Sequence, residues 1–265
     1  MKKRITSLLL IDLLFLFLLI ISGAVNGIWG QLFYFFAYLL PIGAGLLILR
    51  RHDAFSVPAA LVIRKDRIVF GAALFAPTML LVIAVSALTT LVLAFFGKSN
   101  DVDVSGALVY ELFRHALIPA VLEELLFRYI PIKLLSPRSN RGAIFVSSLL
   151  FALVHLNLFQ IPYALLAGVI FAFLTVACGS ILPAIILHFL NNAVSVVWMR
   201  NPDIAPTVII SVLALLSVLS AVYIIRKRRE YEKELLCAFT GERVGFSVEL
   251  LVMTAVCLIM SLLSL

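Results

Sequence analysis

The chain of 265 residues is too apolar to be a soluble globular protein. Apolar residues make up 63% of it, charged residues make up only 13%, and the mean hydropathy is +1.16. A soluble domain contains roughly 45–50% apolar and about 25% charged residues. The apolar residues occur in long blocks, which indicates a helical membrane protein and excludes the short alternating strands of a transmembrane barrel. The net charge of +7 does not indicate nucleic-acid binding, because the basic cluster Arg226–Arg229 directly follows an apolar segment.

Nine apolar segments predict an all-α, polytopic transmembrane helix bundle formed by a single integral membrane domain, residues 1–265. The segments are 5–21, 28–49, 70–96, 116–135, 143–158, 161–178, 181–199, 207–225 and 248–263. A span needs about 20 apolar residues, so the fifth segment is short and is expected to be shielded by neighbouring helices. The bundle would have eight spans if the first segment were cleaved as a signal or lay peripherally. We predict that it is retained, because it is long for a signal peptide and a second span follows closely.

The turns and the charge distribution predict how the helices are connected and oriented. The connection Cys178–Ser180 predicts a tight hairpin between spans six and seven, and the loop 136–142 predicts a turn after span four. Cytoplasmic loops of membrane proteins are rich in Lys and Arg, which here predicts a cytoplasmic N-terminus. In this orientation the cytoplasmic segments contain Lys2, Lys3, Arg4, Arg50, Arg51, Arg64, Lys65, Arg67, Lys133, Arg138, Arg141, Arg226, Lys227, Arg228, Arg229, Lys233 and Arg243. The outside segments contain only Lys98, Arg114 and Arg200.

Several polar side chains lie within the apolar segments. Each ionisable group there has an insertion cost of about 2.5–3.5 kcal/mol, and so needs a partner or a function. The residues are Asp12, Glu123, Glu124, Arg128, His155 and His188, with Asn191 and Asn192 as uncharged companions. Asp12 stands alone in span one and is expected to hydrogen-bond to a neighbouring helix. Before span four, Glu111 and His115 are spaced for an i, i+4 pair on an interfacial helix.

Helix geometry predicts that the remaining polar groups lie at one depth. Glu123 precedes Leu135 by twelve residues, and His155 follows Ala143 by twelve residues. The two helical segments on either side of the loop 136–142 are therefore each about 18 Å long. The polar residues of span seven lie roughly 11–17 Å along that helix. All of them are therefore expected near mid-bilayer, with access from the cytoplasmic side. Pro131 limits the match to about one turn, because proline disturbs a helix.

The residue types suit hydrolysis of a peptide bond by activated water. A carboxylate in a low-dielectric cleft can act as general base, and a nearby imidazole can share the water and protonate the leaving amine. A second histidine and an asparagine on one face of span seven can donate hydrogen bonds to a developing oxyanion. Glu124 and Arg128 are spaced for a salt bridge, which leaves Glu123 as the unpaired carboxylate and the expected base.

Three motifs on three segments resemble those of the CPBP family, which comprises CAAX prenyl endopeptidases and bacterial Abi, bacteriocin-processing and lysostaphin-resistance-like proteins. The motifs are Glu123-Glu124-xxx-Arg128, Phe151-xxx-His155 and His188-xxx-Asn192. The resemblance covers the catalytic motif core, residues 116–199, and no motif position departs from the family pattern. It implies that Glu123 activates water with the help of His155. It further implies that His188 and Asn192 form the oxyanion hole, and that Glu124, Arg128 and Phe151 shape the site.

The resemblance implies an intramembrane endopeptidase that acts on a membrane-associated or lipidated peptide, with the lipid bilayer as its surroundings. The compact chain favours a bacterial plasma membrane protein. Glu123, His155 and His188 are acceptable zinc ligands, while resemblance to the structurally understood members favours a metal-free glutamate mechanism without a cofactor. Two alternatives are a non-catalytic scaffold or immunity protein and a proton-coupled transporter. The sequence lacks the inverted repeat that many transporters show, and it specifies neither the peptide cleaved nor the oligomeric state.

Overall fold

The computed structural model describes residues 2–52, 65–99, 106–241 and 248–263. Throughout these ranges the regular structure is helical, apart from one isolated bridge between Ser139 and Gly241. The helices are α1 (Lys2–Ala24), α2 (Gly27–Arg51), α3 (Lys65–Phe95), α4 (108–135), α5 (Asn140–Leu153), α6 (Ile161–Cys178), α7 (Leu182–Arg200), α8 (Ala205–Ala238) and α9 (Val248–Leu263). Within α4, the α-helical pieces are Leu108–Glu111, Ile118–Glu124 and Ile130–Leu135, and the π-helical turns between them are Leu112–Leu117 and Leu125–Tyr129.

The helices confirm the all-α class and an integral membrane protein. Among the described residues, six helices are long and apolar enough to cross a membrane. These are Lys3–Ala24, Trp29–Arg51, Arg67–Phe95, Ile161–Cys178, Leu182–Arg200 and Ala205–Glu232. Helices α5 and α9 are shorter and apolar, so nine spans and a cytoplasmic N-terminus stay predictions. Arg64 and Arg243, which contributed to the predicted orientation, lie outside the described residues.

Helix α5 is shorter than predicted. It ends at Leu153 rather than at residue 158, and the chain turns at His155 and Leu156. Leu156 has φ +47°, in the left-handed region that a continuing helix cannot accommodate. His155 therefore lies in the turn that follows the helix, not within the helix.

Other local predictions are confirmed, with one exception. Helix α6 ends at Cys178 and is followed by Gly179 at φ +66°, the left-handed cap that allows the tight hairpin into α7. Glu111 and His115 form the predicted i, i+4 pair, with 3.0 Å between Oε2 and Nε2. The exception is Asp12, which is only 3% exposed. Its Oδ2 has no hydrogen-bond partner within the described ranges, so the predicted helix–helix bond does not involve this atom.

The bundle places α4, α5, α6 and α7 around a common centre. Helix α5 packs along α6, and α7 contacts α3, α4 and α6. Helices α1 and α2 form a hairpin that packs against α4. The close approach of α5 to α6 depends on Gly168, because a Cβ there would lie 3.2 Å from Cα of Ser148. Small residues permit such close packing between membrane helices.

The second π turn of α4 is tied to α5 through a backbone carbonyl. Pro131 has no N–H, so it cannot complete an α-helical bond to the carbonyl oxygen of Phe127. The hydroxyl of Ser147, on α5, donates a hydrogen bond to that oxygen, and both residues are buried. The turn directly follows Glu123 and Glu124, so this contact also fixes the local course of the helix that carries them. π-Helical turns occur frequently at functional sites.

We expect Ser147→Ala to destabilise the fold by about 1–3 kcal/mol, because it leaves a buried carbonyl without this donor. The free energy of unfolding in detergent micelles measures the effect. Ser148→Ala is the matched control, because the Ser148 hydroxyl donates to Ile144 of its own helix and its loss leaves the helical ladder intact. Equal losses in the two variants would contradict the assigned role of Ser147.

Candidate active site

The structure brings side chains from each of the three motifs to one cavity of about 1070 Å³. Glu123 reaches it from α4, and His155 from the turn after α5. His188 and Asn192 reach it from successive turns of α7, and Phe151 from the last turn of α5. The five side chains therefore share one cavity.

Behind the cavity wall lies a fully buried ion cluster. Glu124 and Arg128 are both 0% exposed, and Oε2 of Glu124 lies 3.3 Å from Nε of Arg128, which confirms the predicted pair. Oε1 of Glu124 lies 2.8 Å from Nδ1 of His188. The Arg128 guanidinium lies 4.0 Å from the ring centre of Phe151 and 5.7 Å from that of Phe171. Glu124 does not line the cavity; its two carboxylate oxygens contact Arg128 and His188 instead.

Glu123 is the carboxylate that faces the cavity. Its side chain is 15% exposed, and its Oε2 lies 3.7 Å from Nε2 of His188. Its Oε1 accepts a hydrogen bond of 2.9 Å from the hydroxyl of Tyr38. The prediction that Glu123 is unpaired is therefore wrong.

Tyr38 is the site residue that sequence reasoning missed. It lies on α2, is 3% exposed, and packs against Phe15 of α1 with 4.9 Å between ring centres. Its hydroxyl lies inside an apolar span and so needs a partner, which is the signal that could have marked it. That partner lies 85 positions away in sequence, which no local pattern reveals.

The ring of His188 is held in one orientation. An ionised carboxylate only accepts hydrogen bonds, so Nδ1 of His188 is the donor when Glu124 is ionised. Nε2 then faces Glu123, and these two groups repel each other unless a proton lies on one of them. Phe171 stacks on the ring at 5.4 Å and 26°, and Phe151 meets it edge-on at 5.6 Å. His188 can therefore present Nε2 to the cavity without rotating.

His155 and Asn192 are also oriented by neighbours. Nδ1 of His155 lies 2.8 Å from the carbonyl oxygen of Phe151, which can only accept, so neutral His155 has its lone pair on Nε2. The amide nitrogen of Asn191 donates to Oδ1 of Asn192 at 2.9 Å. The amide nitrogen of Asn192 is then the atom available to donate. Asn191, to which the motifs give no role, thus orients the motif residue beside it.

The zinc alternative does not match this arrangement. In the part of the chain that the structure describes, no group of three His, Cys, Asp or Glu side chains is placed to hold a metal ion. His188 directs one ring nitrogen at Glu124 and the other at Glu123, 3.7 Å away. Glu123, His155 and His188 are therefore not grouped as a metal site within these residues.

The cavity opens toward one end of the bundle. Its remaining walls come from the last half of α3 (79–94), the first half of α4, the last half of α7 and Ile210 near the start of α8. That end contains the α7–α8 connection, whereas the α4–α5 and α6–α7 turns lie at the other end. With the predicted cytoplasmic N-terminus that end would face the outside, which does not agree with the predicted cytoplasmic access; both stay predictions. The equal lengths of the two predicted helical segments indicated the depth of the polar residues in the membrane. They did not indicate the end of the bundle toward which the cavity opens.

Residues 105–194 match the family model described as type II CAAX prenyl endopeptidase, Rce1-like. Comparison with curated proteins and with solved structures gave no match. The matched segment contains all three motifs and confirms the resemblance to the CPBP family. Over residues 105–194 the chain is similar to this family, and the similarity indicates a CAAX-protease-type peptidase.

Proposed function

We propose that the chain is an endopeptidase that hydrolyses a peptide bond of a membrane-associated or lipidated peptide, with Glu123 as the base that activates water. The observation that carries this proposal is the different placement of two adjacent glutamates. Glu124 is sealed behind the wall in an ion pair, whereas Glu123 faces a cavity with two histidines and an asparagine. A general base must be able to reach water and substrate, and Glu123 meets that condition.

In the proposed reaction, a water molecule lies between Glu123 and His155. Glu123 takes one proton from the water, and the oxygen attacks the carbonyl carbon of the peptide. The negative charge that develops on the carbonyl oxygen accepts hydrogen bonds from the Asn192 amide and from Nε2–H of His188. The proton then passes, directly or by way of His155, to the amide nitrogen, and the C–N bond breaks.

The buried ion cluster supports the donor role of His188. Nδ1–H already faces Glu124, so His188 donates from Nε2 only when the ring carries both protons. The doubly protonated ring is a cation, and Glu124 supplies the adjacent negative charge at 2.8 Å. With Glu123 ionised, the two carboxylates balance the charges of Arg128 and His188. This balance allows four ionisable groups to share a region of low dielectric constant.

The test compares the membrane peptides of cells that carry the wild type with those of cells that carry Glu123→Gln. We expect one or more peptides to remain uncut in the variant, with the matching fragments present only in the wild type. A scaffold or immunity protein predicts identical peptides in both, and that outcome would overturn the proposal. Proton-coupled uptake by the purified chain in liposomes would support the transporter instead.

Tyr38→Phe is expected to lower kcat by about 10- to 100-fold, because it removes a hydrogen bond to a carboxylate worth about 1.5–3 kcal/mol. Tyr38 does not line the cavity, so KM should stay near the wild-type value. Steady-state kinetics with one peptide substrate separate the two constants. Tyr223→Phe is the control, because it removes a hydroxyl that contacts Tyr231, away from the cavity. A rise in KM with unchanged kcat would contradict the positioning role.

We expect cleavage to survive dialysis against a strong zinc chelator, because the proposed steps use only side chains of the chain and water. The measurement is the initial rate before and after chelation. A lost rate that returns when zinc is added back would contradict the glutamate mechanism and favour the zinc alternative.

A further inference from the structure

We infer that Tyr34 is a second positioning residue, which acts on Glu123 through Tyr38, and that the α1–α2 hairpin serves the reaction by carrying this tyrosine pair. The inference rests on the proposed function and deepens it. It gives the active carboxylate a support from outside the family-matched residues 105–194. Three features carry it: the docking of the hairpin along α4, the direction of the hydrogen bonds, and the aromatic contacts that hold Tyr38.

The first feature is the fixed register between α2 and α4. Tyr38 donates a hydrogen bond to Glu123. Seven residues further along each helix, Gly45 lies against Ile130, where a Cβ on Gly45 would clash with the Ile130 side chain. Such close contact at a small residue fixes the packing of membrane helices. Tyr34 precedes Tyr38 by four residues, so it lies on the same face of α2.

The second feature is that the hydrogen bonds of the tyrosine pair point in one direction. Tyr38 has a single hydroxyl hydrogen, which it donates to Oε1 of Glu123 at 2.9 Å. The side chains of Tyr34 and Tyr38 are also hydrogen-bonded to each other, and their ring centres lie 5.3 Å apart. Because the hydrogen of Tyr38 is already engaged, Tyr34 donates and the oxygen of Tyr38 accepts. Hydrogen bonds in series polarise one another, so Tyr34 strengthens the bond from Tyr38 to the carboxylate.

The tyrosine pair leaves Glu123 with one oxygen for the reaction. Oε1 is occupied by Tyr38, whereas Oε2 lies 3.7 Å from Nε2 of His188. A carboxylate held at one oxygen presents the other in a fixed direction, which a general base needs in order to meet water and substrate. Neither tyrosine lines the cavity. Tyr34 and Tyr38 therefore act through Glu123 and not on the substrate.

The third feature is an aromatic side chain that holds Tyr38 in place. The ring centre of Phe15, on α1, lies 4.9 Å from that of Tyr38 and 5.6 Å from that of Phe127, in the second π turn of α4. All three rings are buried, and Tyr34 packs against the same core. The ring packing is separate from the hydroxyl contacts. A variant that loses only a hydroxyl is therefore expected to keep the hairpin docked.

The kinetics of Tyr34→Phe test the inference, because phenylalanine keeps the ring and removes only the hydroxyl. With one peptide substrate and the purified chain in liposomes, we expect kcat to fall by about 3- to 10-fold, the effect of losing one neutral hydrogen bond. KM and the unfolding transition should stay near the wild-type values. Tyr110→Phe is the control, because its hydroxyl contacts Arg114 and not the tyrosine pair. A rate of Tyr34→Phe equal to that of the control, or a change in KM alone, would overturn the inference.

A double-variant cycle shows whether Tyr34 acts through Tyr38. In a protein that already carries Tyr38→Phe, the connection to Glu123 is lost. Adding Tyr34→Phe should then change kcat by less than about twofold, since the two hydroxyls act as one unit. A further loss as large as the one seen in the wild-type background would mean that Tyr34 acts by another route, and the inference would be wrong.

The same measurements separate this inference from the proposed function. If Glu123→Gln cleaves as fast as the wild type, the glutamate mechanism fails, and the role of the tyrosine pair fails with it. If Glu123→Gln and Tyr38→Phe are slow but Tyr34→Phe matches the control, only this inference fails. Slow cleavage in all three single variants, without further loss in the double tyrosine variant, is the expected result.

Discussion

Replacing Glu123 by glutamine should lower kcat/KM by about 10²- to 10⁴-fold, the contribution typical of a positioned general base. Glutamine has nearly the same shape, and its amide oxygen can still accept the hydrogen bond from Tyr38. It cannot take a proton from water at neutral pH. The measurement is peptide cleavage by the purified variant in liposomes, together with its unfolding transition, which should change little.

Glu111→Gln provides the matched control for this experiment. Glu111 lies on the same helix and is also buried, but it pairs with His115 and does not line the cavity. We expect its rate to stay close to that of the wild type. If Glu123→Gln retained most of its activity, or if both variants lost it equally, Glu123 would not be the base.

Glu124→Gln should lower stability, whereas Glu123→Gln should lower activity with little change in stability. We expect Glu124→Gln to lose about 3–5 kcal/mol in the free energy of unfolding. It leaves the charge of Arg128 buried without the carboxylate that lies 3.3 Å away. The double variant Glu124→Gln, Arg128→Met removes both charges, and replacement of a whole buried pair is often tolerated. We therefore expect the double variant to regain most of the stability, measured by denaturant unfolding in micelles.

The cleavage activity of the double variant shows whether the Glu124–Arg128 pair only stabilises the fold or also shapes the active site. The double variant should remain poorly active, because Nδ1 of His188 still lacks its carboxylate partner. Losses of stability that add, rather than compensate, would contradict the pairing of Glu124 with Arg128. Full recovery of activity would contradict the role of Glu124 in positioning His188.

Much of the fold could be predicted because hydrophobic length and helix spacing are local properties. The limits of α6 were predicted to the residue, and the Glu124–Arg128 pair follows from i, i+4 spacing alone. The polar residues in apolar helices identified the site because each would be costly without a partner. The family match over residues 105–194 agrees with that identification.

The remaining features depend on contacts between distant segments. Tyr38 completes the environment of Glu123 from a helix outside the matched segment. The end of α5 depends on a left-handed residue, Leu156, which is not a residue type that signals a turn. The cavity opens where α3 and α4 leave room, a property of packing that no periodicity in either segment encodes.

The two π turns of α4 have a consequence for which changes the chain can tolerate. A π turn closes its hydrogen bond over five residues instead of four, so it accommodates one residue more than an α turn would. Removing one residue from Leu125–Tyr129 would let that stretch become regular α-helix. The parts of the helix on either side would then keep nearly the same relative orientation, because the π turn only takes up the additional residue. A single-residue deletion in this stretch that keeps Arg128 should therefore disturb the helix less than a deletion from Ile118–Glu124, where the following residues would rotate by about 100°.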